Sequence, residues 1–280
     1  MICSVAFATP KKHAEMPTAV KTVFCCDNVD EETFRTEIYP RVRLCIRNRP
    51  NGPYKREPAV LRGVPVGRCT LLWDKDYLCT RGGKRDVKVH VSRDRHMDFI
   101  SKNFLYRTLP FCELVQRASG SKNTNFFISE VMDNFLIQVK GKKKAVLFHP
   151  NDFEYLYIQG DKSRVLDVEC PDLEKFPKFQ KATRYEATLN SGDILFIPAL
   201  WFHNMTALDF GIAVNVFWRN LDASLYDKND PYGNKDLVPA AKALASVERA
   251  VKGLQLLPFD CQQFYALKMI SQIKETFHLT

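Results

Sequence analysis

Between residues 126 and 218 the chain is a close succession of short apolar or alternating runs, each closed by turn chemistry. No other feature limits its fold so tightly. "NFFIS", "NFLIQV", "KKAVLFHP", "YLYIQG", "YEATL", "DILFIPA" and "GIAVNVFW" follow one another in that stretch. Runs this short, bounded by Gly, Asn, Asp and Pro, read as strands. Their density predicts a two-sheet barrel or jelly roll, with an aromatic-rich last strand closing it.

The flanks read differently. Residues 1–26 lack periodicity and are expected to form a loose arm. "DNVDEETFRTEIYPR" suits a short helix, with Asp30 as cap and Glu31 and Glu32 at its positive end. Residues 41–57 are rich in Arg, Pro and Gly and read as an irregular basic insertion. "LLWDKDYLCTRGG" reads as a helix stopped by glycines, and "DVKVHV" alternates as a strand does. "DFISKNFLYRTLPFCELVQRA" has helical spacing broken at Pro110, with Asp98 placed to cap it. Beyond Trp218, "LVPAAKALASVERAVKGLQLL" and "DCQQFYALKMISQIKETF" read as two amphipathic helices.

Composition narrows the function classes. No apolar run is long enough to span a bilayer, and the lysines of "MICSVAFATPKKH" follow its apolar stretch instead of preceding it, so neither a membrane nor a secretory role is expected. Nine cysteines with no C-x-x-C pair suit reduced thiols in the cytosol or nucleus. The 41 basic residues exceed the 32 acidic ones, a net charge of +9 that favours a polyanionic partner as readily as a plain solvated surface. The basic residues cluster at Arg41, Arg43, Arg47, Arg49, Lys55 and Arg56, in "RGGKR" and in "GKKK".

"GDILFIPALWFHNM" raises the question of a metal. It offers a strand from Ile194 to Ile197, a break at Pro198, and His203 just where the strand runs out. A single histidine at a strand end is ordinarily a packing residue, because a metal site needs a converging set of donors. Lys143, taken alone, is a hairpin lysine in a solvated run, and Asn134 alone can stabilise a bend. Trp201, Phe202 and Trp218 read as core or rim packing before they read as stacking platforms. His96-Met97-Asp98 spells H-x-D, but Asp98 opens a helical pattern, and capping explains it more simply. His149 sits in a turn with the wrong spacing to Asp152.

Taken together, "VMDNFLIQVKGKKKAVLF", "SGDILFIPALWFHNM", "GIAVNVFW", "MDFISKNFLYRTLPF", "EYLYIQG" and "YDKNDPYGNKD" resemble the JmjC branch of the iron(II)- and 2-oxoglutarate-dependent oxygenases. Within that branch the likeness is to the hydroxylases of wybutosine synthesis, which act on a hypermodified guanosine in phenylalanine tRNA. The resemblance runs from about Val29 onward, apart from the insertion. It implies a mainly β, double-stranded β-helix fold of cupin type with flanking helices, and a dimerising C-terminal helical pair. It also implies Fe(II) and 2-oxoglutarate as cofactors. His203 matches the distal iron ligand, Lys143 the cation that pairs with the far carboxylate of 2-oxoglutarate, and Asn134 an amide that contacts the keto acid. Asn215 is a further pocket candidate.

The departure is as specific as the likeness. Iron(II) in this family needs two His and one carboxylate, and the H-x-D pair stands immediately before the segment that is "VMDN" here. "NFFISE" precedes Val131 instead, and resembles a segment much further upstream in the family. A stretch between Glu130 and Val131 is therefore expected to be absent, the first His and the Asp with it, and the jelly roll to be incomplete. The expected organisation is an arm (1–26), a JmjC-like domain (27–219) interrupted at 130/131, and a dimerisation region (220–280). Three functions follow from the resemblance: tRNA hydroxylation, with this chain potentially inactive; a non-catalytic tRNA-binding or dimerising relative; and, less favoured, a protein hydroxylase of asparaginyl type. The expected partners are tRNA and a second copy of the chain, with no DNA and no membrane, in an intracellular setting, cytoplasmic or nuclear.

Overall fold

The structure, a computed structural model, describes residues 19–38, 56–92, 98, 100–102, 104–120, 127–160 and 162–279. Its centre is two sheets laid face to face. The strands in chain order are β1 (Val20–Thr22), β2 (Phe24–Cys26), β3 (Ala59–Leu61), β4 (Asp86–Ser92), β5 (Phe104–Pro110), β6 (Phe127–Ile128), β7 (Asp133–Lys140) and β8 (Lys143–Phe148). They continue as β9 (Ile158–Gln159), β10 (Lys162–Ser163), β11 (Arg184–Leu189), β12 (Ile194–Ile197), β13 (Phe202–Ala207) and β14 (Ile212–Trp218). One sheet runs β1-β11-β8-β13-β6-β10-β9 and the other β14-β7-β12-β3-β2, while β4 and β5 form a separate ribbon. The expected two-sheet jelly roll is what forms.

Alternation decides what lies between the sheets. Ala145 and Leu147 of β8, Ala187 and Leu189 of β11 and Met205 of β13 pack inward against Leu136 of β7, Val60 of β3 and Leu195 and Ile197 of β12. Intervening residues point outward and are buried too. Val146, Phe148 and Phe202 lie under a layer carrying Leu156, Val168, Phe176 and Phe179, and Ile194 and Phe196 pack with Phe135 and Trp218. Burial on both faces explains why β8 and β12 read as continuous apolar runs. Trp201 and Phe202 are buried and Trp218 stacks on Phe196 at 5.9 Å, so these aromatics serve packing, as expected.

Arg56 belongs to the core, although it lies in the basic cluster. Its guanidinium pairs with Asp133, both almost fully buried, and lies 5.6 Å from the Phe196 ring. The Arg56 carbonyl accepts from Trp201 Nε1 at 3.0 Å, and Asp133 Oδ1 accepts from the Ala199 amide at 2.9 Å. The start of β7 is thereby tied to the corner between β12 and β13.

Several expectations change. Residues 20–22 and 24–26 are strands, not part of a loose arm: β1 pairs parallel with β11 and β2 with β3, which gives their backbone groups partners. Residues 104–110 form β5 where helical spacing was read, because β4 supplies a full antiparallel ladder. Asp98 does cap, accepting from the amides of Ile100 (2.8 Å) and Ser101 (3.1 Å), but at a turn. "LLWDKDYLCTRGG" divides into α2 (Cys69–Leu72) and α3 (Lys75–Gly82), since Asp74 caps the second through the Tyr77 amide at 2.8 Å. Of "YLYIQG" only β9 is strand, after a 3-10 turn at Pro150–Tyr155.

The rest follows the sequence reading. Asp30 caps α1 (Glu31–Thr33), accepting from the Thr33 amide at 2.7 Å, α4 (Phe111–Gly120) follows Pro110, and the C-terminal pair forms α5 (Val238–Leu254) and α6 (Phe259–Phe277). His96 and residues 41–55 of the basic insertion lie outside the described residues.

Removing one partner of a buried ion pair leaves the other charged and unpaired, at a cost of about 3–5 kcal/mol. Arg56→Met is therefore expected to lower unfolding free energy by that amount in urea titrations. Arg56→Met with Asp133→Leu is expected to recover at least half of it. Equal stability of the single variant and the parent would show that the pair holds nothing.

Candidate functional site

His203 does not hang from the end of β12. It is the second residue of β13, whose mixed sequence "FHNMTA" carries little strand signal. The corner before it is strained: Leu200 has φ of +71°, a region costly for a side chain with Cβ. That geometry turns the Leu200 amide onto the Glu130 carbonyl at 2.7 Å. The next amide, Val131, donates to the Gly233 carbonyl at 2.8 Å. Glu130 is held from both sides.

The two clasped segments bring two functional groups together. His203 and Glu130 are 3% and 8% exposed, and Nε2 of the imidazole faces a Glu130 carboxylate oxygen at 3.6 Å. His203 Nδ1 lies 3.2 Å from the Trp201 carbonyl. A carbonyl only accepts, so this contact puts a proton on Nδ1 and turns Nε2 toward the carboxylate, as metal-bound histidines are commonly oriented. In the β6–β13 register, Ile128 stands directly opposite His203.

Glu130 is the residue that sequence reasoning missed. Glu130 stands immediately before Val131 and places its carboxylate beside His203. Its place in the sequence carries no signal of that contact.

The three expected site residues stand on the strand faces turned to the space between the sheets. Lys143 shares the inner face of β8 with Ala145 and Leu147, and Leu147 is paired with His203. Lys143 lies four positions before that pairing, about 13 Å along the strand. Asn134 is buried on the inner side of β7 and donates through Nδ2 to Asn215 Oδ1 at 3.3 Å, while its own Oδ1 has no partner. Asn215, the weaker candidate, is thus joined to Asn134. An apolar cleft of about 640 Å³ lies elsewhere, lined by Phe34, Phe135, Ile137 and Ile194 on the outer side of the five-stranded sheet.

The donor set does not fit a mononuclear iron(II) centre. Among the described residues no third His, Cys, Asp or Glu joins His203 and Glu130, and two protein donors fall short of the facial triad. The keto-acid side fits better. Burial pushes the Lys143 ammonium below the usual lysine range, as expected of a cation that an incoming carboxylate would compensate.

That depression has a testable sign. A base lowered in the folded state costs stability wherever it stays charged, and the cost fades as pH approaches its unfolded value of about 10.4. Lys143→Met is expected to raise the Tm of the ligand-free protein at pH 7 by about 2–4 °C, with a smaller gain at pH 10. It should also abolish the thermal shift given by a 2-oxoglutarate analogue. A shift equal to the parent's would remove Lys143 from any anion site.

Comparisons with known proteins agree with the fold. A family model described as a Cupin-like domain matches residues 117–224. The chain is 42% identical to tRNA wybutosine-synthesizing protein 5 of Danio rerio, over 90% of this chain and 92% of that protein. It is 40% identical to the Homo sapiens protein of the same name, over 89% and 94%. It is also 29% identical to tRNA wybutosine-synthesizing protein 4 of Aspergillus oryzae, over 85% of this chain but 29% of that protein. The first two alignments extend over 313 and 310 residues, more than the 280 of this chain, so both relatives carry stretches without a counterpart here. The chain belongs to the JmjC-type, cupin-like family of the tRNA wybutosine-synthesizing proteins.

Proposed function

We propose that this chain acts in wybutosine synthesis on the hypermodified guanosine of phenylalanine tRNA, and that in this form it binds the tRNA and pairs with itself without hydroxylating it. The observation that carries the reading is identity of 40–42% across about nine-tenths of the chain to proteins named for that pathway, combined with two metal donors among the described residues where the reaction needs three. Net charge of +9 supports a polyanionic partner. Arg81, Lys84 and Arg85 are exposed and available to it, whereas Arg56 is not.

The complete iron(II)- and 2-oxoglutarate-dependent hydroxylase is the second reading. Two observations favour it: the desolvated ammonium of Lys143 and the unpartnered amide oxygen of Asn134, both turned to the space between the sheets. A keto acid would give each a partner. The protein hydroxylase of asparaginyl type has no comparable support, since the relatives are named for tRNA.

Self-association rests on α5 and α6. Neither helix buries a residue. Leu244, Val247 and Val251 of α5 and Phe264, Leu267 and Ile270 of α6 all stay substantially exposed. An apolar surface of that extent marks an interaction site on most soluble proteins. Among the described residues no helix is long and apolar enough to cross a membrane, and an intracellular site of action, cytoplasmic or nuclear, follows from a tRNA substrate.

Filter binding with unmodified and hypomodified tRNA tests the first half of the proposal. Affinity is expected to fall at least tenfold between 50 and 200 mM salt, roughly the slope of a few phosphate contacts. Absence of binding at 50 mM salt would contradict it. Sedimentation velocity tests the second half: the parent is expected as a dimer and the Phe264→Glu, Ile270→Glu variant as a monomer. A monomeric parent would remove self-pairing.

A further inference from the structure

We propose that the free edge of β14 is a self-pairing surface, on which β14 of a second copy of this chain lies antiparallel and joins the two five-stranded sheets into one. This adds a second contact to the self-pairing proposed above and does not depend on α5 and α6.

Three observations carry it. First, β14 ends its sheet, and among the described residues no strand pairs with its outer edge. The other three edges of the two sheets are short: β1 and β2 have three residues each and β9 has two, whereas β14 has seven. Soluble proteins blunt long edges with charge, proline or a bulge. β14 carries no charged residue and no proline, and its register shift lies at its start, between Ile212 and Ala213. Second, the middle of the strand is open on both faces. Val214 and Val216, beside Ile137 and Phe135 on the outer side, are 37% and 46% exposed, and Asn215 between them is exposed as well.

Third, the strand is self-complementary. Because side chains alternate, only registers that set outer residues against outer ones preserve both faces of a joined sheet. The register that uses the whole of Ile212–Trp218 sets Asn215 opposite itself and Val214 opposite Val216 across a twofold axis. Apolar side chains then face one another on the outer side and amides on the inner side, with no like charges opposed. An edge contact of this length buries little area, so it is weaker than the helix contact and populates only at high concentration.

Sedimentation velocity on the Phe264→Glu, Ile270→Glu chain, at roughly 5 and 500 μM, isolates the edge from the helices. A monomer is expected at the lower concentration and a dimer at the higher. Adding Val214→Lys with Val216→Lys sets ammonium groups opposite one another and is expected to weaken that dimer roughly tenfold or more. Val216→Thr is expected to keep it. With Asn215→Cys, mild oxidation by diamide is expected to link two copies, the two thiols passing their hydrogens to the reagent, and peptide mapping is expected to place the disulfide at position 215. Near-ultraviolet circular dichroism checks folding, and the disulfide decides if the lysine variant does not fold.

A chain that stays monomeric at both concentrations overturns the proposal, as does a dimer that the lysines leave unchanged or the absence of a disulfide at position 215. Slow hydrogen exchange at every β14 amide of the monomer would overturn it too, because another segment would then cover the edge. A parent chain that is monomeric at the lower concentration would remove the helix contact and leave the edge result standing.

Discussion

The buried pair of Arg56 and Asp133 holds the barrel's working corner together. Asp133 opens β7 and grips the Ala199 amide, one residue before the strained Leu200, while the Arg56 carbonyl holds the Trp201 indole. Glu130 precedes one side of this knot and His203 follows the other. A pair of this kind adds little net stability compared with apolar packing, and its better-attested use is to specify one arrangement. Here that arrangement is the meeting of an imidazole with a carboxylate.

Strand alternation then divides the remaining residues between packing and potential chemistry. The same parity that turns Ala145 and Leu147 inward turns Lys143 inward, and the parity of Met205 turns His203. An ammonium and an imidazole share one inner face of one sheet, with a buried asparagine on the inner side of the other. Among the described residues, only His203 and Glu130 come together as potential metal donors.

Much of this was legible beforehand. The strands from β7 to β14 were, for the most part, marked by apolar runs between turn residues, and the C-terminal helices by their periodicity. Elements whose formation depends on distant partners were not. β1, β2 and β3 are three residues each and exist through parallel or antiparallel pairing with strands far along the chain. β5 carries helix-compatible spacing and yields to the ladder offered by β4. β13 hides because its buried outward positions include Asn204 and Thr206, polar residues that break the apolar pattern. Glu130 gives no signal in the sequence for a related reason: its contact with His203 comes from what the corner brings to it across the sheet.

The central claim is that the imidazole of His203 and the carboxylate of Glu130 face each other inside the barrel with no third protein donor among the described residues. Diffraction from crystals of the unaltered chain grown with Mn(II), recorded for the anomalous signal of manganese, tests it most directly. The account predicts His203 Nε2 and the Glu130 carboxylate at about the 3.6 Å seen here, and no anomalous peak between them. A manganese ion bound by both, with a further residue of this chain completing the set, would contradict it.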